Sequence, residues 1–398
     1  MNILFVDDEV HILRSIQRLM VSRSYKTFYA ASGAEALRLL ETQAVDVVVS
    51  DMMMPEMNGY DLLLKIRNTR PSVARVIVSG YAHAELIQRA VMQGIAAAYL
   101  VKPLDVETLV MVLEQCRLMR EAMGDSVARD VLIGLGQFPV LSDCRERILT
   151  ATGCDVDAAE MARLIEGDPA VTVNVLRLAN SVTFGRSVKV GSVREAVVRI
   201  GVIAIKSVVL TSSIIDEAHL GPEAMIRIRA ILDNSLKINR LVHFLHHHVT
   251  GVAVLDIARS VGQVHDIGML LMETRMPVLA GRMLEACAHG MTGGAAELHA
   301  FSAGHAKIGG CLLDYWSFPL ILVAGALYHH SPLQECISKA DQIVLCILHI
   351  VDSFVWSGDV RHPVLNMMPE NEQAYAYIGK SREWVLEALR HECETEQY

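Results

Sequence analysis

The sequence predicts an α/β domain with a doubly wound parallel five-stranded sheet, followed by an all-α helical domain. Three observations support this prediction. Up to about residue 120, short apolar runs alternate with amphipathic segments, as in a parallel sheet that carries helices on both faces. Several of these runs end abruptly in a charged or hydroxyl side chain. Beyond that point the β-rich runs stop, and helical patterns are separated by breaks that contain Gly or Pro.

The α/β part alternates strands with helices five times. Strands are predicted near 2–6, 26–30, 46–50, 74–78 and 97–101, and helices near 10–22, 33–42, 59–68, 83–93 and 105–121. The β-branched run Val47–Val49 leads through Ser50 to Asp51, and Pro55 and Gly59 follow before a helical pattern resumes. Such a buried strand delivers Asp51 to its C-terminal end, where open α/β sheets place their ligand sites.

Polar side chains follow three further strands at the corresponding end. Asp7 and Asp8 follow the first strand, Ser79 follows the fourth, and Lys102 follows the fifth. Together with Asp51 they form an ordered set that resembles the site of response-regulator receiver domains. A single acid at a strand end is more simply explained as a cap of the next helix. The full set in this order favours the receiver interpretation.

This resemblance implies a phosphoacceptor site with a magnesium ion. Three carboxylates form a hard-oxygen site suited to Mg²⁺, which neutralises charge while Asp51 attacks a phosphoryl group to form an acyl phosphate. Lys102 is expected to hold the phosphoryl oxygens as a compact cation. By the resemblance, the metal ligands are Asp7, Asp8, Asp51 and the carbonyl of Met53, and the switch residues are Ser79 and Tyr99.

Composition indicates the broad class of the protein. The length of 398 residues is typical of two or three domains, and 52% hydrophobic with 20% charged residues describes a packed globular chain. A formal net charge of -9 argues against a nucleic-acid partner. The eight cysteines form no CxxC pair, no secretory signal is evident, and the longest apolar run, 318–328, is too short to span a bilayer. We therefore expect a cytoplasmic protein with free thiols.

Two passages of the helical part carry further signal. The first contains Gly167-Asp168-Pro169, Leu178-Ala179-Asn180-Ser181, Phe184-Gly185 and Arg199-Ile200-Gly201. The second contains His265-Asp266-Ile267-Gly268, His305, Tyr328-His329-His330 and His349-Ile350-Val351-Asp352. These passages resemble the N-terminal helical lobe of an HDOD domain and the HD-type lobe that follows it. The resemblance covers about 130–356.

HD-type phosphohydrolases bind one or two transition metals that activate a water molecule. Carried over by position, the candidate ligands are His265, Asp266, His305, His329 or His330, and Asp352. Two departures weaken this site. Asn234 stands where the metalloenzyme pattern opens with His, and Met269 stands where the cyclic-dinucleotide phosphodiesterases commonly carry a Lys that holds phosphate.

Three interpretations of the helical site are open. The favoured one is a non-catalytic scaffold, in which these groups are inherited or hydrogen-bonding residues. The second is a structural or regulatory transition metal, and the third is a metal-dependent cyclic-dinucleotide phosphodiesterase. Because a neutral Asn is a poor substitute for imidazole, we expect metal to be weak or missing and turnover to be negligible. The triplet His246-His247-His248 is expected to be a solvated helix end and not a metal site.

The sequence thus predicts a two-component response regulator. Its predicted parts are a receiver at 1–121, a helical connector at 122–130, an HDOD output domain at 131–356 and a helical tail at 357–398. A histidine kinase is expected to phosphorylate Asp51, and autophosphorylation from small phosphodonors is the only catalysis expected. The expected output is a changed protein surface that binds an unidentified downstream protein. A homodimer through the receiver or connector helix is a further expectation, and neither nucleic acid nor membrane is expected as a partner.

Overall fold

A computed structural model shows the predicted parallel sheet. Its strands are β1 (Asn2–Val6), β2 (Lys26–Ala30), β3 (Val47–Asp51), β4 (Ala74–Ser79) and β5 (Ala98–Val101). They pair in parallel, in the order β2-β1-β3-β4-β5. The structure describes residues 1–21, 23, 25–80, 90, 93–96, 98–124, 127–151, 156–181, 188–212, 215, 217–335, 337–367 and 371–395. The predicted fold class, a five-stranded α/β sheet followed by a helical region, is confirmed.

The chain divides into two compact units. One comprises Met1–Gln137 with Ser181–Ser187, and the other comprises Phe138–Asn180 with Val188–Tyr398. In the first unit the described helices are α1 (Val10–Met20), α2 (Gly33–Thr42), α3 (Gly59–Thr69), α4 (Val106–Met123) and α5 (Val127–Gly134). The helix predicted at 83–93 falls largely outside the described residues. The four domain boundaries given above stay predictions.

The central strands are covered on both faces. Every residue of β3 and β4 is buried, although successive side chains of a strand point to opposite faces of the sheet. This burial is the physical reason for the nearly continuous apolar runs in the sequence. Both strands extend one residue beyond their predicted ends, so Asp51 and Ser79 are the last residues of β3 and β4.

A buried cation fastens α5 to the sheet of the first unit. Arg75 on β4 has no exposed surface, and its guanidinium donates to the carbonyl oxygens of Ile95 (2.8 Å) and Ile133 (3.1 Å). Ile133 lies in the last turn of α5. Nearby, Gly94 has a φ of +67°, and a Cβ added to it would lie 2.3 Å from the carbonyl oxygen of Gly134. Glycine is therefore required for this close approach.

The second unit is built from helices. Those described are α6 (Ser142–Ala151), α7 (Ala158–Glu166), α8 (Pro169–Asn180), α9 (Val193–Thr211), α10 (Glu217–Thr250), α11 (Val261–Val264), α12 (Ile267–Arg275), α13 (Pro277–Ala288), α14 (Gly293–Phe301), α15 (His305–Tyr315), α16 (Leu320–Tyr328), α17 (Lys339–Ser357), α18 (Glu372–Tyr377) and α19 (Arg382–Thr395). Two short 3-10 helices are also described, at Asp256–Ala258 and Leu365–Met367.

The Leu-Ala-Asn passage forms the end of α8, a helix in which every residue is buried. The Asn180 amide pins a neighbouring segment, because its Oδ1 accepts from the Val190 amide and its Nδ2 donates to the Val190 carbonyl, each at 2.8 Å. At the other end, Asp168 accepts from the amides of Ala170 (2.8 Å) and Val171 (3.0 Å). These motif residues therefore have structural roles. Phe184-Gly185 lies outside the described residues.

The helix α17 is the most apolar long element of the second unit. By length and composition alone it is long and apolar enough to cross a membrane, but 67% of its most apolar window is buried inside the unit. It also carries two buried polar side chains, His349 and Asp352. A core helix has these properties, and its inward polar groups position the site described next.

Candidate functional site

The parallel register brings the predicted acids and lysine together at one end of the sheet. Val6 pairs with Ser50, and Ser79 pairs with Val101, so the residues that follow these positions lie side by side. The Lys102 amine lies 2.7 Å from Oδ1 of Asp51 and 2.9 Å from Oδ2 of Asp7. Both carboxylates thus face one cation.

The remaining oxygens of these carboxylates are held by backbone amides. Oδ1 of Asp7 accepts from the Glu9 amide at 2.9 Å, and Oδ2 of Asp51 accepts from the Met53 amide at 2.8 Å. The loop after β3 folds tightly against Asp51, because a Cβ on Gly59 would lie 2.0 Å from the Asp51 carbonyl oxygen. Gly59 therefore permits the close turn that holds the loop after β3 against Asp51.

Burial and charge act in opposite directions on the predicted phosphoacceptor. Burial raises the pKa of the Asp51 carboxyl, and the hydrogen bond and charge of Lys102 only partly offset this effect. For Lys102, burial alone would lower the pKa, but Asp51 and Asp7 outweigh it and raise the pKa of the amine. The amine is therefore a fixed cation at neutral pH.

The donor set at this sheet end fits Mg²⁺. Asp7 and Asp51 share one cation-binding position, now taken by the Lys102 amine, and Asp8 is exposed beside them. Carboxylate oxygens in a site that stays open to water are what Mg²⁺ prefers. Met53, the fourth predicted ligand, directly follows the buried Met52 and is 53% exposed.

The two predicted switch residues are both buried. Ser79 ends β4, and the Tyr99 hydroxyl donates to the Ser79 carbonyl at 3.4 Å. The Lys102 amide also donates to that carbonyl, at 2.9 Å. The Ser79 carbonyl is thus hydrogen-bonded both to Tyr99 in β5 and to Lys102, which follows β5.

In the second unit the six candidate ligands lie in one cluster, and all of them except the partly exposed His330 are buried. His265, Asp266, His305 and His329 are at most 1% exposed, and Asp352 is 2% exposed. Two groups of three have ligand atoms within 4.8 Å of one another, namely His305 with His329 and His330, and His265 with Asp266 and Asp352. The structure thus brings the six candidate residues together, and their role as metal ligands stays a prediction.

Asp266 connects the two groups. Its Oδ2 lies 3.3 Å from Nε2 of His265, and its Oδ1 lies 3.4 Å from Nε2 of both His305 and His329. The Trp356 indole donates to Oδ2 at 3.2 Å. Asp266 therefore lies between the two groups, with Oδ2 facing His265 and Oδ1 facing His305 and His329.

Backbone and carboxylate acceptors fix the orientation of the imidazoles. Nδ1 of His265 donates to the Gly262 carbonyl (2.8 Å), and Nδ1 of His329 donates to the Ala326 carbonyl (2.9 Å). Nδ1 of His305 donates to Oε1 of the buried Glu297 at 2.6 Å. In each ring this leaves Nε2 as the atom that faces the cluster.

Burial and the neighbouring charges shift the pKa values of the imidazoles in this cluster, and for two of the rings they act in opposite directions. Burial alone would lower the pKa of His305, but Glu297 and Asp266 outweigh it and raise that pKa to about 10. Burial likewise lowers the pKa of His265, yet Asp266 and Asp352 bring it well above its usual value. For His330, burial and the neighbouring His329 lower the pKa well below its usual value.

A close approach of two helices brings Asp266 to His305. Gly268 is the second residue of α12, and a Cβ added to it would lie 2.0 Å from the His305 carbonyl oxygen and 2.7 Å from the Gly309 amide nitrogen. Gly309 in turn faces Gly268 from α15. The Gly of the His-Asp-Ile-Gly passage is therefore what allows these helices to touch.

The two departures from the metalloenzyme pattern have separate structural roles. Asn234 donates from Nδ2 to Oδ2 of Asp359 at 2.8 Å. Met269 has no exposed surface and belongs to the apolar core. The amide of Asn234 is thus engaged with a residue that follows the C-terminal end of α17. Met269 packs in the apolar core at the position where the phosphodiesterases commonly carry a charged Lys.

Sequence reasoning missed two residues that support the cluster. Glu297 orients His305, and Trp356 donates to Asp266. Trp356 lies four residues after Asp352 on α17, a spacing that places both on one helix face. Glu297 belongs to a different helix, α14, and carries no motif that could have identified it.

The histidine triplet at the end of α10 does not join this cluster. His246 is buried, and its Nδ1 lies 3.1 Å from the Val252 carbonyl. His247 and His248 are exposed. The His248 ring stacks on Phe244 and contacts Trp384. These contacts agree with a helix end and its packing.

Family models match both units. The response regulator receiver domain model matches residues 3–114, and the HDOD domain model matches residues 138–332. The chain carries a receiver domain followed by an HDOD domain. The predicted family is thereby confirmed.

Curated relatives match part of the chain. The transcriptional regulatory protein GlrR of Escherichia coli is 29% identical over 175 residues, which are 44% of this chain and 35% of that protein. The chain therefore spans about a third of that regulator's length. Sporulation initiation phosphotransferase F of Bacillus subtilis is 29% identical over 107 residues, 27% of this chain and 86% of that protein.

Several solved structures of response regulators and receiver domains are similar to parts of this chain. The receiver domain of an HD domain-containing protein from Pseudomonas fluorescens is 33% identical and covers 30% of this chain and 97% of that chain, with a TM-score of 0.30. The MmoQ response regulator from Methylococcus capsulatus is 25% identical and covers 64% of this chain and 98% of that chain, with a TM-score of 0.48.

We predict that Gly268→Ala destabilises the HDOD domain. The added Cβ would meet the His305 carbonyl, and overpacking of this kind costs about 2 to 3 kcal/mol of unfolding free energy. All three tryptophans lie in the HDOD-containing unit, so urea unfolding followed by tryptophan fluorescence reports on this unit.

Gly281→Ala is the matched control, because a Cβ there meets nothing within 4 Å. It should leave the urea midpoint unchanged or raise the stability by about 0.5 to 1 kcal/mol. If Gly268→Ala unfolds at the same urea concentration as the wild type, the close helix approach is not required.

Proposed function

We propose that this protein is a phosphorelay response regulator, phosphorylated on Asp51 by a histidine kinase, whose HDOD domain is a non-catalytic output module. The observation that carries the proposal is the placement of Asp51 at the end of β3, facing the Lys102 amine at 2.7 Å beside Asp7. A buried carboxylate next to a fixed cation is prepared for an anionic phosphoryl group.

The proposed transfer is a displacement at phosphorus. An oxygen of Asp51 forms a bond to phosphorus, and the bond from phosphorus to the kinase histidine nitrogen breaks, which returns the electron pair to that nitrogen. Mg²⁺, held by Asp7, Asp8, Asp51 and the Met53 carbonyl, would supply charge neutralisation at the phosphoryl oxygens. Lys102 would shift from the Asp51 carboxylate to those oxygens.

The response to phosphorylation begins at Ser79 and Lys102. A phosphoryl group on Asp51 offers new acceptors to both side chains. Because the Lys102 amide and the Tyr99 hydroxyl both bond the Ser79 carbonyl, movement of Ser79 would change the β5 side of the receiver. Phosphorylation thereby biases a two-state receiver.

A mostly apolar cavity beside the phosphoacceptor supports a protein as phosphodonor. It adjoins Asp51 and Lys102 and is lined by Ile12 and Ile16 of α1 and by Leu104. Apolar surface at the mouth of a charged site suits a partner helix that carries the phosphohistidine. We assign this role to the cognate histidine kinase.

Burial of the histidine cluster supports output through protein contacts. His265 and His305 have no exposed surface, and Asp266 is 1% exposed. A phosphodiester substrate would have to reach these groups, and a hydrolase needs an open position for water. The proposal therefore gives the HDOD domain a downstream protein as partner, in the cytoplasm and without nucleic acid.

Self-association through α4 is part of the same proposal. Met111 and Leu118 on this helix are 44% and 48% exposed, and their spacing of two helical turns places them on one face. Exposed apolar side chains on one helix face favour pairing with a second copy.

We predict that Asp51 is the only phosphoacceptor of the chain. Incubation with acetyl phosphate and Mg²⁺ should add one acid-stable, base-labile phosphoryl group, which intact-mass spectrometry detects, and Asp51→Asn should abolish it. Asp61→Asn, which changes an exposed carboxylate on α3, is the control and should be labelled like the wild type. Equal labelling of Asp51→Asn and wild type would refute the assignment.

We also predict an unusual pH dependence of this labelling. Since burial raises the Asp51 pKa, and only the carboxylate is nucleophilic, the rate should fall on acidification at a higher pH than for an ordinary Asp, whose pKa is about 3.9. Lys102→Met removes the cation that opposes this shift, so its midpoint should move to still higher pH.

Lys65→Met, an exposed lysine on α3, is the control for this comparison. Rate ratios between variants at each pH cancel the titration of the phosphodonor. A Lys102→Met midpoint equal to or below that of the wild type would contradict the role given to Lys102.

For the HDOD domain we predict no phosphodiesterase activity. Full-length protein, with and without acetyl phosphate and supplied with Mn²⁺, Fe²⁺ or Mg²⁺, should leave cyclic dinucleotides intact in a chromatographic assay. Hydrolysis that disappears in His265→Ala would establish the enzyme alternative instead. A residual activity that persists in His265→Ala would indicate a contaminating enzyme.

A further inference from the structure

A buried arginine holds three parts of the first unit together. Arg75, the second residue of β4, has no exposed surface. Its guanidinium donates to the carbonyl oxygens of Gly94 (3.3 Å) and Ile95 (2.8 Å), which precede β5, and to that of Ile133 (3.1 Å) in α5. It also donates to the carbonyl of Val73 (2.6 Å), just before β4. Because a buried cation is costly unless its donors are satisfied, each of these carbonyls stabilises the guanidinium.

The acceptor in α5 lies at the end of that helix. Ile133 and Gly134 are the last two residues of α5, where backbone carbonyls have no partner within the helix and carry partial negative charge. A cation at this end is therefore favourable in charge as well as in hydrogen bonding. Arg75 thus caps the C-terminal end of α5 from a strand that is distant in the sequence.

The end of α5 also lies in direct backbone contact with residues 93–96, here called the β5-entry segment. Gly94 in this segment has a φ of +67°, and a Cβ on it would lie 2.3 Å from the Gly134 carbonyl oxygen and 2.6 Å from the Gly136 amide nitrogen. A side chain at this position would push the two backbones apart. Because the contact is so close, a small shift of the β5-entry segment has to displace α5.

The strand β4 connects this contact with the phosphoacceptor end of the sheet. Arg75 lies near its start, and the predicted switch residue Ser79 is its last residue. All six residues of β4 are buried, and the strand pairs with β3 on one side and β5 on the other. A strand packed in this way transmits a displacement along its length, so a movement of Ser79 reaches Arg75.

The helix α3 provides a second connection. It begins at Gly59, the glycine that packs against the Asp51 carbonyl. Its Tyr60 hydroxyl donates to Oε1 of Gln93, and its Arg67 guanidinium donates to the Gln93 carbonyl, each at 2.8 Å. The β5-entry segment is therefore held both by the helix that follows the phosphoacceptor loop and by the strand that ends in Ser79.

We propose that Arg75 couples phosphorylation of Asp51 to the output domain by holding α5 on the β5-entry segment. Phosphorylation shifts β4 and α3, the close fit between Gly94 and α5 is lost, and α5 is released. The chain enters the second unit at Phe138, shortly after α5 ends, so release of α5 frees the backbone that leads to the output domain. This inference rests on the proposed function, because it requires a phosphoryl group on Asp51.

Hydrogen exchange of α5 tests the proposal. Full-length protein is incubated with acetyl phosphate and Mg²⁺, intact mass confirms the added phosphoryl group, and amide exchange in peptides that cover 127–135 is followed by mass spectrometry. In the wild type, phosphorylation should raise the exchange rate of these amides about 10- to 100-fold, as expected where a hydrogen bond to a charged group is lost. Asp51→Asn, treated in the same way, should show no change.

Two variants separate coupling from a purely structural role of Arg75. Arg75→Met should raise the exchange rate of α5 without phosphorylation and remove the further increase on phosphorylation, while Asp51 is still labelled. Gly94→Ala, in which the new Cβ meets the Gly134 carbonyl, should have the same two effects from the other side of the contact.

Each variant has a matched control. Arg70→Met removes an exposed arginine that lies shortly before β4. Gly379→Ala adds a methyl group at a similar φ of +68°, where a Cβ meets nothing within 4 Å. Both controls should show the exchange of α5 seen in the wild type, with and without phosphorylation.

Two outcomes would overturn the coupling while phosphorylation itself stands. One is unchanged or slower exchange of α5 in the phosphorylated wild type. The other is an increase on phosphorylation that persists in Arg75→Met and Gly94→Ala, which would make Arg75 a structural residue only. A wild type that takes up no phosphoryl group would instead refute the proposed function together with this inference. Labelling of Asp51 shows that the receiver of a variant has folded, so if one variant misfolds the other decides.

Discussion

Buried carboxylates that lie close to one another need a cation between them, and both candidate sites of this chain follow from that constraint. In the receiver domain the Lys102 amine lies within 2.9 Å of Asp7 and Asp51. In the HDOD domain imidazoles surround Asp266. Desolvation is costly for each of these anions alone, so each site exists only because the fold supplies the opposite charge at hydrogen-bonding distance.

Glycine determines how closely the backbone approaches at both sites. Gly59 lets the loop after β3 fold against the Asp51 carbonyl, and Gly268 lets α12 touch α15. In the receiver domain this keeps Oδ2 of Asp51 in its hydrogen bond with the Met53 amide. In the HDOD domain it brings Asp266 to His305. A methyl group at either position would separate the charged partners, which is why a small local change would act on distant side chains.

The two domains differ in how far their candidate sites are exposed to solvent. Lys102 and Asp8 are partly or fully exposed, so the receiver site is open to a phosphodonor and to Mg²⁺ with its waters. The His305 and His329 rings have no exposed surface, and their Nδ1 atoms are bound by Glu297 and Ala326. An open charged site suits reversible chemistry, whereas a closed one suits the maintenance of structure.

The sequence by itself determined the fold class, the positions of the strands to within one residue, and the six candidate side chains that the structure brings together in the second unit. It could do so because hydrophobic periodicity is local and because strand-end residues of a parallel sheet necessarily meet. Tertiary structure alone decided that Lys102 lies between Asp7 and Asp51, that Asn234 turns to Asp359, and that Glu297 orients His305. The first two contacts join positions far apart in the chain, and the third joins two different helices, so no local pattern encodes the distance or direction between these side chains.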